Sequence, residues 1–321
     1  MEFRTPVSVK DEEPKIDYSS KILLLGSCFA ENIAEKFDYF KIRNFSNPFG
    51  ILYHPAAIER LILNSLQNFE YTEKDIFQRS GIWHCYDAHS RLSNLNKEQL
   101  LKELNLQLKN TKEYLEQATH LIITLGTARV YNLKSSGKPV ANCHKVPQKE
   151  FVKELLSISE IKKCLFTIIS EVKKVNSSIN LIFTVSPIRH VRDGLIENSI
   201  SKAHLLSAVN EVISEEKFSY FPSYEIMIDE LRDYRFYADD LIHPSRMAIE
   251  FIWKKFVKSR FSSEGISLLK EVEKVQKAIS HKPFNKDSES HKKFQENLKM
   301  QIKALERKIP YLSFSKDFTY K

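Results

Sequence analysis

Ile22-Leu23-Leu24-Leu25-Gly26-Ser27-Cys28-Phe29-Ala30-Glu31 is the stretch on which the fold turns. Four consecutive apolar residues that follow a polar leader and stop at a glycine predict a short strand buried on both faces. Beyond the glycine the period changes. Cys28, Phe29, Ile33, Ala34 and Phe37 fall on one helical face, with Glu31, Glu35 and Lys36 on others. The same strand-then-turn pattern returns twice, at His120 to Gly126 and at Asn180 to Ser186, the latter ended by Pro187.

Helices are predicted between these strands: one opening at Pro55, a long amphipathic one over Lys97 to Gln117, and others over Lys149 to Lys174 and Ser199 to Glu215. Further strand character is expected around Lys41 to Phe45, before the Asn47-Pro48-Phe49-Gly50 breaker, and more weakly at Tyr220 and Phe221. Alternating buried strands and helices argue for a parallel sheet covered on both faces. In such sheets ligands bind beyond the carboxyl ends of the strands. The loops after Leu25, Leu125 and Val185 are therefore expected to meet in one cleft.

From Gly265 onward the pattern becomes purely helical. Leu268, Leu269, Val272, Val275 and Ile279 predict one helix, Pro283 to Ser290 a polar break, and Phe294, Leu298, Ile302 and Leu305 a second. The domains expected are a body over 1–260 and a helical hairpin over 261–321. Association between copies through this hairpin is one use of it.

The composition, 42% hydrophobic and 28% charged over 321 residues, is that of a globular protein. No apolar run approaches the roughly 18 residues of a membrane span. The acidic first residues, Met1 to Ser19, lack a signal peptide's apolar segment, so a cytoplasmic setting without membrane contact is expected. Four separated cysteines, with no Cys-x-x-Cys pair, exclude a disulfide framework and zinc of that type. The net charge of +8 is local. Met1 to Ile252 carries 32 basic against 33 acidic residues, and Trp253 to Lys321 carries 17 against 8. Those tail lysines alternate with helical apolar positions and lack the aromatic platforms of single-strand binders, so no nucleic-acid partner is expected.

Two clusters carry chemistry. Cys28 sits at a strand-to-helix turn, where the helix N-terminus should lower a thiol's pKa and favour thiolate. The alternative is a structural cysteine on the apolar face. Asp240-Leu241-Ile242-His243 places an aspartate three residues before a histidine, suited to orienting an imidazole base, with Ser245 as a helix cap. Candidate substrate contacts are His84 and His89, His144 in the Asn142-Cys143-His144-Lys145 loop, and Arg189 and His190 after a central strand, with Arg192 nearby. Arg189 and Arg192 suit a carboxylate or phosphate. Metal ligation by His84 and His89 would need a third ligand from elsewhere, and no metal site is expected.

Gly26-Ser27-Cys28-Phe29-Ala30, Asn47-Pro48-Phe49-Gly50 and Asn142-Cys143-His144-Lys145-Val146-Pro147 together resemble the GSCFA family, over most of Phe3 to about Lys258. That family looks like a branch of the SGNH, or GDSL-like, hydrolases. The resemblance implies a flavodoxin-like three-layer α/β/α sandwich with a C-terminal helical extension, acting on ester- or thioester-linked acyl groups, as a carbohydrate-type esterase does. In direct register Cys28 matches the nucleophilic serine; a one-residue shift would make it Ser27. Asp240 and His243 match the Asp-x-x-His block, and Gly50 the oxyanion glycine. The oxyanion asparagine is missing, with Thr127 or Asn142 as substitutes. Gly-x-Cys at this turn is also similar to a group of capsular-polysaccharide enzymes thought to bind coenzyme A and transfer acetyl groups. The readings this leaves are a hydrolase with no required cofactor, a coenzyme A-dependent transferase acting on a saccharide, and a catalytically weak domain binding carbohydrate or protein.

Overall fold

The computed structural model describes residues 4–216, 218–285 and 288–314. Five strands form the central sheet: β1 (Ile22–Gly26), β2 (Asn44–Ser46), β5 (His120–Leu125), β9 (Asn180–Val185) and β10 (Ser219–Tyr220). Their spatial order is β10-β9-β5-β1-β2 and every pairing is parallel. Ile22 lies opposite Asn44 on one side and His120 on the other, while Leu125 lies opposite Val185. The chain leaves β1 towards β2 and returns on β1's other side as β5. The order therefore reverses between β1 and β5, and that is where such a sheet opens a crevice.

The pleat sorts the strand residues between two layers. Leu23, Leu25, Leu121, Ile123, Leu181 and Phe183 pack against α2 (Pro55–Leu66), α3 (Lys97–Gln117), α4 (Ile158–Val175) and α5 (Leu195–Glu216). Ile22, Leu24, Ile122 and Ile182 face α1 (Cys28–Tyr39) and, after the short α6 (Ser223–Glu225), α7 (Arg246–Arg260), α8 (Ser263–Ser280) and α9 (Glu289–Lys308). Both faces are covered, which is why the strands read as unbroken apolar runs. The hairpin's Leu269, Val272, Val275, Leu298 and Leu305 are buried in that second layer alongside Phe37 and Trp253. The hairpin packs on the body of its own chain. Residues 286–287 of the expected break and 315–321 of the expected extension lie outside the described residues.

Two antiparallel additions border the sheet: a hairpin of β3 (Ile76–Arg79) and β4 (Ile82–Cys85), and a three-stranded unit of β6 (Arg129–Leu133), β7 (Pro139–Val140) and β8 (Phe151–Leu155). Strand β8 corrects the expectation of one helix over Lys149 to Lys174. Phe151 to Leu155 pair antiparallel with β6, and the helix starts only at Ile158. Ser157 and Glu160 form a capping box there, a start signal legible in the sequence. The second strand is also shorter than expected, since Lys41 turns the chain at positive φ and pairing begins at Asn44.

Candidate active site

The carboxyl end of β1 is held by its neighbours. Asn47 accepts the Gly26 N–H on its side-chain oxygen at 2.9 Å and donates its own N–H to Leu24 O. Gly26 runs at φ +133°, and a Cβ there would stand 2.0 Å from Thr124 O, so only glycine lets β1 and β5 approach so closely. Ser27 follows as the N-cap of α1, fully buried, its hydroxyl accepting the Phe29 N–H. Cys28 is the first residue of α1. Its Sγ lies 3.9 Å from His243 Nε2.

His243 is presented by a tight loop before α7. Leu241 has positive φ, and the Ala238 N–H donates to His243 O at 2.7 Å. Asp240 accepts the Ile242 and His243 N–H groups on one carboxylate oxygen and the imidazole Nδ1–H on the other, at 2.7 Å. Hydrogen bonds from the His243 backbone and ring, and from Ile242, hold the Asp240 carboxyl down at about 2. With Nδ1 donating, Nε2 carries the lone pair that faces the thiol. Arg189 braces this loop. It stacks over Tyr237 at 4.0 Å and donates to Leu241 O.

The thiol itself departs from expectation. Burial pushes the Cys28 pKa up, and the Glu31 carboxylate adds to this, against the Cys28 N–H and the Lys202 ammonium. Desolvation outweighs the helix terminus. The resting group is a thiol, so nucleophilicity depends on the imidazole beside it.

Lys202, on α5, escaped sequence reasoning. It is fully buried, and its ammonium donates at 2.7 Å to both Gly126 O and Ser186 O, tying together the carboxyl ends of β5 and β9. Burial pulls its pKa down to about 7, and the neighbouring Cys28 works in the other direction. The signal was present: Lys202 shares the buried stripe of α5 with Leu205, Val209 and Val212.

The expected oxyanion donors are largely committed elsewhere. The Gly50 N–H donates to Asn47 O at 2.8 Å, closing a turn. The Thr127 hydroxyl is shared with Ser201 and accepts the Arg129 N–H, while its own N–H goes to Tyr53 O. Asn142 accepts the His144 N–H and lines a cavity of about 450 Å³ next to the site. Among the described residues no hydrogen-bond acceptor outside its own residue takes the Cys28 N–H, which lies at the head of α1.

The histidines divide by environment. His144 donates to Cys85 O and accepts from Ser90, His84 bonds Ser93, and His89 caps a short turn. These three pin the 83–93 loop, and of them His144 alone reaches the cavity, which His54 and His190 also line, the His190 ring meeting Tyr53 edge-on. Burial pushes both His144 and His190 down to about 4. Among the described residues no group of three or more His, Cys, Asp or Glu side chains is placed to hold a metal ion. A larger cavity, about 840 Å³, opens beside His120 and Asn180 at the amino ends of β5 and β9, the opposite end of the sheet from Cys28. Among the described residues no helix is long and apolar enough to cross a membrane.

The class is thus a mixed α/β protein, a five-stranded parallel sheet between helices with a Cys-His-Asp array at the reversal of strand order. The chain belongs to the GSCFA family, whose model matches residues 21–256; the model described as "GSCFA domain protein, C-terminal domain" matches residues 272–320. Among curated proteins none matches the sequence.

Proposed function

We propose that this protein is an acyl hydrolase or acyltransferase of SGNH-like, flavodoxin-like architecture, with Cys28 as nucleophile. One observation carries the reading: the continuous array Cys28 Sγ, His243 Nε2, His243 Nδ1 and Asp240, with separations of 3.9 and 2.7 Å. The strand order supports it, since the five parallel strands, numbered along the chain, run 2-1-3-4-5, with the nucleophile at the reversal. Ser27 is the weaker nucleophile because its buried hydroxyl is spent on the helix cap.

In this mechanism His243 takes the thiol proton as Sγ attacks an ester or thioester carbonyl. The oxyanion forms against the Cys28 N–H at the head of α1, where the helix end favours negative charge. Collapse breaks the bond to the leaving group, which receives the proton from the His243 imidazolium. Water then attacks the acyl-cysteine, with His243 as base, and releases the acid. Where a sugar hydroxyl replaces water, the product is a new ester; coenzyme A enters only as acyl donor in that transfer version. The missing asparagine leaves fewer oxyanion donors than a serine hydrolase has, which fits a reactive thioester better than a stable ester.

Intact-mass analysis after exposure to short acyl thioesters and esters tests this. An acyl adduct is expected on wild type and on Ser27→Ala, and none on Cys28→Ala. An adduct that persists in Cys28→Ala but disappears in Ser27→Ala moves the nucleophile, and no adduct or turnover in any form leaves a binding domain.

A further inference from the structure

The 450 Å³ cavity lies between the carboxyl end of β5 and the β6-β7-β8 unit. Its inner wall is Tyr53, Thr127 and His190. Gly126 separates that wall from the nucleophile turn: a Cβ added there would stand 3.2 Å from His190 Nε2 and 3.4 Å from the Ser27 Cβ. Tyr53 stands at the same partition, its carbonyl accepting the Gly126 N–H at 2.8 Å and the Thr127 N–H at 3.0 Å.

Charge distinguishes this cavity. Arg129, Lys145 and Arg192 line it, and among the described residues none of the three has a carboxylate within ion-pair distance. Among the described residues the wall's one carboxylate, Asp193, is already engaged by Lys153 and by the Tyr131 hydroxyl. The Arg129 Nε is out of solvent without a hydrogen-bond partner. A donor left unmet in this way costs free energy that a bound acceptor would recover. The three wall histidines, His54, His144 and His190, are all held near 4 by burial and so add no charge at neutral pH. Tyr131 and Phe151 supply apolar surface for the rest of a ligand.

We infer that this cavity binds an anionic group, a carboxylate or a phosphate, carried by the molecule that reacts at Cys28. Guanidinium forks suit either oxyanion. That the anion belongs to the reacting molecule rests on the function proposed above; the anion site itself does not.

The test begins with full-length Cys28→Ala protein, which cannot turn over. Melting temperature is followed against inorganic phosphate and against succinate, each at constant ionic strength made up with sodium chloride. A saturable rise is expected with at least one of them, and their order of affinity identifies the source of the anion. Adding Arg129→Gln and Arg192→Gln should weaken the midpoint at least tenfold. Lys145→Glu, on an exposed loop residue, should weaken it severalfold and serves where the double variant is unstable. A rise that does not saturate, or that survives these substitutions, overturns the site. The second arm compares succinyl with butyryl thioesters on wild type. At least a tenfold preference for succinyl or for a phosphate-bearing thioester, lost in the double variant, supports the link to Cys28. Saturable anion binding without acylation removes the proposed function and keeps the site; acylation with no anion effect does the reverse.

Discussion

Replacing Lys202 with methionine should change the pH dependence of folding in a way that can be worked from the structure. The ammonium is fully buried, and its pKa falls from 10.5 to about 7. At about 1.4 kcal/mol per unit, protonating it in the folded state costs about 5 kcal/mol relative to the unfolded chain. That is a ceiling, because two carbonyls at 2.7 Å favour the charged form. The sign follows from proton counting. Between pH 7 and 10.5 the unfolded lysine is protonated and the folded one increasingly neutral, so the unfolded state binds more protons and stability rises with pH. Below pH 7 both forms are protonated and the cost is constant. Urea unfolding of wild type and Lys202→Met at half-unit steps from pH 6 to 10 should give curves that differ in slope by up to about 1.4 kcal/mol per pH unit above pH 7, and run parallel below it. Parallel curves throughout would show that Lys202 keeps its proton in the fold, and the depressed pKa would be refuted.

The elevated Cys28 pKa predicts that iodoacetamide labelling keeps accelerating beyond about pH 9.5, where an ordinary free thiol of pKa about 8.5 has levelled off; a plateau below pH 7 would contradict it. Gly50→Ala combines φ +71° with a Cβ 2.4 Å from that of His89, so a loss of about 2–4 kcal/mol is expected in urea unfolding. Leu305→Ala, in the shared core, should cost about 2–5 kcal/mol and lower the midpoint of the whole chain in one transition, whether followed by circular dichroism or by Cys28 accessibility. Separate melting of the tail by these two probes would show that the hairpin folds independently.

The strands β1, β5 and β9 were legible because burial on both faces leaves uninterrupted apolar runs, and each ends at Gly26, Gly126 or Pro187. The short distance between Asp240 and His243 in the chain made their hydrogen bond legible too. Strand β8 was misread because Phe151 and Leu155 also fit a helical period, and only their pairing with β6 decides between the two. Motif register points to Gly50 and Thr127 as oxyanion donors, but register does not show whether an N–H or hydroxyl is already spent. Lys202 needed the converse step. A charged residue on an otherwise apolar stripe asks what it bonds, and the answer lies at the ends of two distant strands.

The helix that carries Cys28 has one flank whose packing partners lie far away along the chain. Phe37 at the far end of α1 meets Trp253, Phe256 and Phe261, and Gln276 on α8 donates to Tyr39 O. During synthesis α1 leaves the ribosome roughly two hundred residues ahead of the aromatic cluster that seats it, and contacts of such separation form late. Until then the first helix offers an open apolar flank and a cysteine with no imidazole beside it, since His243 lies in the same late segment. The order of synthesis would thereby time the reactivity proposed for Cys28. The Cys28 thiol meets the His243 imidazole only after the chain has been made past the loop that carries it, so a ribosome-bound fragment ending before α7 would hold Cys28 without the chemistry proposed for it.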